Sequence, residues 1–227
     1  MKKIIIFLNI TISLPVFPQS NSDLGCSVGT AYYMGDINPK TPFYSPQVNA
    51  GITYRYNINS RYVWKVEANY LVLSARDADF SDPYQKIRNA YFQSKLYDLS
   101  GQFEFNFLTF KFVERKIYFS PFVSSGAAVA IILNSNYSKT INFVYPMAVG
   151  IKLSLGKKWS TGLEWDYRYT FNDTLDGVPG PLNNPVPSNS KSLFFNNDWY
   201  SYAGLFITYK VFDFPKECPA YDNNKYK

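Results

Sequence analysis

The sequence has no histidine among its 227 residues and only two cysteines. Without imidazole the chain cannot assemble a Ser-His-Asp or Ser-His-Glu hydrolytic triad, and it lacks the commonest nitrogen ligand for a metal. Past the N-terminus there is no apolar run near the roughly 20 residues that a membrane-spanning helix needs, and mean hydropathy is slightly negative at −0.21. These absences argue against a helical membrane protein. Lysine and arginine outnumber the acids by 23 to 17, for a net charge of +6. The basic residues are scattered or alternate along strands, so no patch presents itself to nucleic acid and no nucleic-acid partner is expected.

Aromatic residues are what the chain has in excess, at 19%, with 20 tyrosines and 19 phenylalanines. Their placement is periodic. From Trp159 to Phe171 the set Trp159, Thr161, Leu163, Trp165, Tyr167, Tyr169 and Phe171 alternates with Ser160, Gly162, Glu164, Asp166, Arg168 and Thr170. Strand side chains alternate between faces, so one face here is aromatic and apolar and the other carries three charges. The same pattern recurs from Val48 to Asn57, Tyr62 to Val72, Tyr97 to Phe107 and Phe143 to Leu153. Weaker versions run from Leu24 to Met34, Ile117 to Ile132 and Trp199 to Val211. In the first of these Leu24, Cys26, Val28, Tyr32 and Met34 are expected to face out, and Gly25, Ser27, Gly29, Ala31 and Tyr33 in.

Eight strands of roughly ten residues suit an eight-stranded antiparallel transmembrane β-barrel of the outer-membrane type: apolar outside, polar inside, and closed so that no backbone edge meets lipid. The inward charges are Arg55, Lys65, Lys152 and Arg168 against Glu67, Asp98, Glu104, Glu164 and Asp166. A barrel of this size has room only for side chains, so opposite charges on neighbouring strands are expected to pair and fill the lumen. No catalytic residue, metal ligand set, cofactor or small-molecule substrate is inferred, and an enzyme is not expected. Asp173 and Asp176 lack a full calcium-ligand spacing.

The N-terminus, with Lys2 and Lys3 ahead of an apolar stretch from Ile4 to Leu14, reads as a cleaved secretory signal over 1–20. The barrel follows over 21–212 and a periplasmic tail over 213–227. An exported chain meets an oxidising compartment, and the first and last strands of a closed barrel adjoin; for Cys26 and Cys218 a disulfide and two independent thiols both stand open. Connections alternate in length. The short ones are Asn57 to Arg61, Leu108 to Lys116 and Gly156 to Lys158; the long ones are Gly35 to Gln47, Ser74 to Ser94, Leu133 to Asn142 and Asn172 to Asp198. Short turns belong in the periplasm and long loops outside.

Several segments are distinctive in combination: L-G-C-S-V-G-T-A-Y-Y-M-G-D-I-N-P from Leu24 to Pro39, R-N-A-Y-F-Q-S from Arg88 to Ser94, E-F-N-F from Glu104 to Phe107, and T-F-N-D-T-L-D-G-V from Thr170 to Val178. With these the chain resembles the PorG-like outer-membrane β-barrel family, components of the type IX secretion system, from Leu24 to the C-P-A-Y at Cys218. Gly35, Asp36, Asn38, Pro39, Arg88, Asn89, Phe92 and Ser94 carry the likeness. It implies a bacterial outer-membrane anchor for a periplasmic ring built by a lipoprotein and a soluble partner. The contact surface it implies is the periplasmic turns and the tail, where Lys216 and Tyr221 stand. The alternative is a stand-alone small barrel that binds ligands or surfaces through its extracellular loops.

Overall fold

In a computed structural model of the chain, the described residues are 21–35, 37–38, 41–81, 83–89, 91–110, 118–134, 139–171, 175 and 198–212. Eight strands follow in order: β1 Asn21–Met34, β2 Gln47–Asn57, β3 Tyr62–Arg76, β4 Tyr91–Asn106, β5 Phe119–Asn134, β6 Lys139–Ser154, β7 Trp159–Thr170 and β8 Trp199–Phe212. Each pairs antiparallel with the next, and β8 returns to β1 with Leu24 opposite Tyr209 and Met34 opposite Trp199, so the barrel is closed. Closure leaves no strand edge with unpaired backbone groups.

Two of the expected loops are shorter than the sequence suggests. Ladder pairing between β3 and β4 continues to Arg76 opposite Tyr91, so strand occupies much of the Ser74 to Ser94 interval. Among the described residues, a 3-10 turn, Asp77–Asp79, and a one-and-a-half-turn helix, α1 Pro83–Arg88, remain between them. Likewise β5 and β6 pair as far as Leu133 opposite Lys139. In β3 and β4 the inward face is apolar as well there, through Leu71, Leu73, Ala75, Phe92 and Leu96, and the period-two contrast fades; in β6 the inward Thr140 and Asn142 stay polar, and the charge of Lys139 breaks the outward apolar stripe instead.

The outer wall is apolar across its middle and ringed by aromatic pairs near both ends. Tyr62 and Phe103 (5.6 Å), Trp64 and Phe103 (5.3 Å), and Trp159 and Tyr209 (4.8 Å) lie toward the short-turn end. Tyr70 and Tyr97 (5.3 Å), Trp165 and Tyr167 (4.9 Å), and Tyr169 and Trp199 (4.7 Å) lie toward the long-loop end. Two aromatic girdles around an apolar band are what a barrel wall presents to a bilayer. Both chain ends of the barrel, Asn21 and Phe212, sit at the short-turn end.

Tyr32 is a correction. It stands on the outward register of β1, yet it is fully buried. The reason is Phe43, from the β1–β2 loop, which folds down the outside of the barrel with its ring 4.7 Å from Tyr32 and 5.9 Å from Trp165. Phe43 and Ser45 take positive φ values of 58° and 47° to make that descent, a conformation that costs non-glycine residues energy and persists only where the surroundings hold it.

Candidate functional site

Three regions can carry function: the lumen, the cap over the long-loop end, and the rim of short turns. In the lumen, all nine charged residues named above are buried. They do not pair along neighbouring strands. Arg55 and Lys65 are themselves cross-strand neighbours of like charge, and opposite charges meet across the bore. Arg55 reaches Glu104 on β4 (3.2 Å) and Glu164 on β7 (3.3 Å). Lys65 meets Glu67 (3.2 Å) on its own strand and Glu164 on the far side. Lys152 pairs with Glu104, and Arg168 holds Asp98 at 2.8 Å and Asp166 at 3.0 Å. Long side chains can cross because a barrel this narrow keeps opposite walls within their reach. Gly150 and Gly162 leave space for the inward rings of Phe122 and Phe206, into which a Cβ at either position would run. The Arg55 guanidinium lies 4.3 Å from the centre of the Phe206 ring, a cation–π contact in a desolvated place.

Sequence reading missed several members. The Tyr202 hydroxyl donates to Glu67 at 2.9 Å and accepts from Arg168 at 2.9 Å, and the Tyr200 hydroxyl donates to Asp98 at 2.6 Å. Gln102 donates to Asp166 at 3.2 Å, and buried Asp23 accepts from Asn57 at 2.9 Å. The carboxylates of Glu67, Glu164 and Asp166 lie within 4.8 Å of one another, the spacing of a metal site, but the Lys65 ammonium meets two of them and the Arg168 guanidinium meets the third. The cluster is held by the protein's own cations.

Above this network the bore turns apolar. Leu71, Leu73, Phe92, Leu96, Ile132 and Val144 pack with Tyr33 and Tyr200, and Ile37 and Leu175 insert from the loops, both fully buried. Motif residues build this cap. Asn38 donates to the carbonyls of Tyr33 and Thr41, each at 2.8 Å, and accepts from the Thr41 amide at 3.0 Å. The Gly35 amide donates to the Asn38 carbonyl at 3.1 Å, and Phe92 meets Tyr33 edge-on at 4.8 Å. Ser94 donates to the Leu175 carbonyl at 3.2 Å, while the Leu175 amide donates to Asp198, which also accepts from Tyr33 at 2.6 Å. Asn89, at φ 46°, closes α1 by donating to Gln85, whose side chain in turn donates to the Ile37 carbonyl at 2.8 Å. Tyr44 ties the β1–β2 loop to the β3–β4 connection by donating to Asp79 at 2.6 Å. Partial burial, and then that carboxylate, push the Tyr44 hydroxyl up to about 12.

At the short-turn rim Ile58, Phe107, Leu108 and Leu155 are about half exposed, between 48% and 55%, beside the exposed Arg61, Lys157 and Lys158. Cys26 is exposed in mid-β1. Cys218, Lys216 and Tyr221, the signal segment, Asp36, Pro39, Asp173 and Asp176 lie outside the described residues, as does the Arg88 side chain.

A family model described as "Domain of unknown function (DUF6089)" matches residues 2–220. No curated protein matches the chain. Among solved structures, the fold is similar to that of Neisserial surface protein A, at TM-score 0.53 and 10% identity, covering 83% of this chain and 96% of that one. The N-terminal β-barrel domain of Pseudomonas aeruginosa OprF (TM-score 0.46, 14% identity, 84% and 97% covered) and the outer membrane protein OprG of the same organism (0.46, 10%, 85% and 97%) are more distant likenesses. At these identities what is shared is the closed eight-stranded barrel.

Proposed function

The chain belongs to the DUF6089 family, and from that premise, joined to the girdled wall and the filled bore, we propose that it is a non-enzymatic bacterial outer-membrane component of the type IX protein secretion system, anchoring a periplasmic ring complex. The observation that carries this reading is the combination of a lumen crossed by ion pairs and an apolar rim at the short-turn end. A bore closed by Arg55, Lys65 and Arg168 bridges below and by Ile37 and Leu175 above offers no path for solute, so the protein acts by what it holds. Half-exposed Ile58, Leu108 and Leu155, each on a different short turn and with basic residues beside them, give the side where the chain ends emerge the mixed apolar and charged character that protein interfaces use. The secretion role itself is supported by the motif resemblance.

The test is a pull-down of the tagged protein from detergent-solubilised outer membranes, with mass spectrometry of what accompanies it. Ring lipoproteins are expected. The interlocked cap favours a second reading, a stand-alone barrel that binds through its loops, and a barrel recovered alone from cells with an intact secretion machine would select it. Removal of residues 216 to 227 is expected to release the ring proteins while the barrel keeps its folded gel mobility; unchanged co-purification would remove the tail from the contact surface.

A further inference from the structure

On the outer wall, Lys95 of β4 and Lys139 of β6 both stand in register with Leu133 of β5, one on each side. Adjacent strands lie about 4.8 Å apart, which sets the two lysine backbones about 10 Å from each other, a span that two side chains close around a single anion. Both lysines are exposed. Among the described residues neither forms an ion pair.

One pleat below them the wall is hollowed. A groove of about 680 Å³ runs among Ala50, Ala68, Tyr70, Tyr97, Leu99 and Ile131. Ala50 and Ala68 form its floor, since small side chains there leave space beside the Tyr70 and Tyr97 rings, which meet at 5.3 Å. Tyr97 lies two residues from Lys95, and Ile131 lies two from Leu133, so the charged pair sits at the mouth of the apolar trough on its long-loop side. Cationic groups at headgroup depth over an acyl-sized trough match one kind of molecule.

We propose that this face binds an anionic phospholipid of the surrounding leaflet, with an acyl chain in the groove and the phosphate between Lys95 and Lys139. The inference rests on the membrane reading above. Charge complementarity selects the occupant: an apolar protein segment would leave both ammonium groups without a partner at the mouth, and a zwitterionic lipid brings its own cation beside them, whereas the phosphate of an anionic lipid accepts from both with no competing charge.

The experiment folds the full chain into vesicles of equal phosphatidylcholine and phosphatidylglycerol, extracts it in mild detergent, and counts retained lipids by native mass spectrometry. One phosphatidylglycerol is expected to stay bound in preference to phosphatidylcholine. Lys95→Gln and Lys139→Gln should each reduce its retention about fivefold, and Ile131→Trp, which fills the trough, should displace it. Lys86→Gln, an exposed lysine on α1, should change nothing, and glycerol phosphate should not compete. Equal retention of both lipids, indifference to the two lysine variants, equal loss in Lys86→Gln, or a dimer in place of the lipid adduct would each overturn the site. A chain that fails to insert, seen as absence of a heat-modifiable gel shift, overturns the membrane reading instead.

Discussion

At the scale of single residues, the network in the bore is governed by the cost of an uncompensated charge more than by the attraction within any pair. Lys65→Met would remove the cation between Glu67 and Glu164 and leave Arg55, Arg168 and the Tyr202 hydroxyl to hold them, and unfolding of the refolded barrel in micelles should show a loss of about 3 kcal/mol. Adding Glu164→Gln should recover part of it; a double variant no better than the single would place the loss elsewhere than in the pair. Gly162→Val tests the other requirement, space. Its side chain collides with the Phe206 ring and the neighbouring strand, so a loss of about 2 kcal/mol, or failure to fold, is expected; normal stability would mean the ring has somewhere else to go. The charged lumen members were legible because Arg55, Lys65 or Arg168 alternates with apolar neighbours. Tyr200 and Tyr202 were not, because in β8 aromatic residues populate both faces, with Trp199 and Tyr209 outward against Tyr200, Tyr202 and Phe206 inward. Asp23 escaped for a plainer reason: it sits at a strand end, where the alternation begins.

At the scale of elements, all eight strands could be read from period two, with bounds within two residues for β2, β5, β7 and β8. They failed where β3 and β4 rise into the apolar upper bore and both faces become hydrophobic. What the sequence concealed is the cap. Nothing in the spacing of Gly35, Asn38, Asn89 and Ser94 indicates that one side chain will hold two loop carbonyls, or that Ile37 and Leu175 will enter the barrel from above; only the folded loops bring them together. Asn38→Ala removes two donated bonds and one accepted bond from a fully buried position and should cost about 1 to 3 kcal/mol. Since the loss falls on the β1–β2 loop, the sensitive measurement is limited proteolysis, with cleavage around Phe43 expected in the variant and not in the parent. Equal protection in both would assign the loop's order to the Phe43 and Tyr44 contacts.

At the scale of the whole molecule, on the proposed reading an apolar outside and a cross-linked inside make a rod that spans lipid and is expected not to conduct. Reconstituted into planar bilayers, the chain should give no steady conductance; stepwise openings under modest voltage would contradict a bore sealed by both network and cap. The same architecture differs by end, with the interlocked cap at one and half-exposed apolar turns at the other. It also imposes an order on the protein's biogenesis. The β1–β8 seam joins Ser22 to Phe212 and Met34 to Trp199, so the earliest strand to leave the ribosome finds its second neighbour only after the last has been made. Until that seam zips, two strands expose bare amides that hydrocarbon cannot solvate. Unassisted, the barrel therefore cannot be threaded into lipid strand by strand: the two open edges need something to hold their amides until they meet each other.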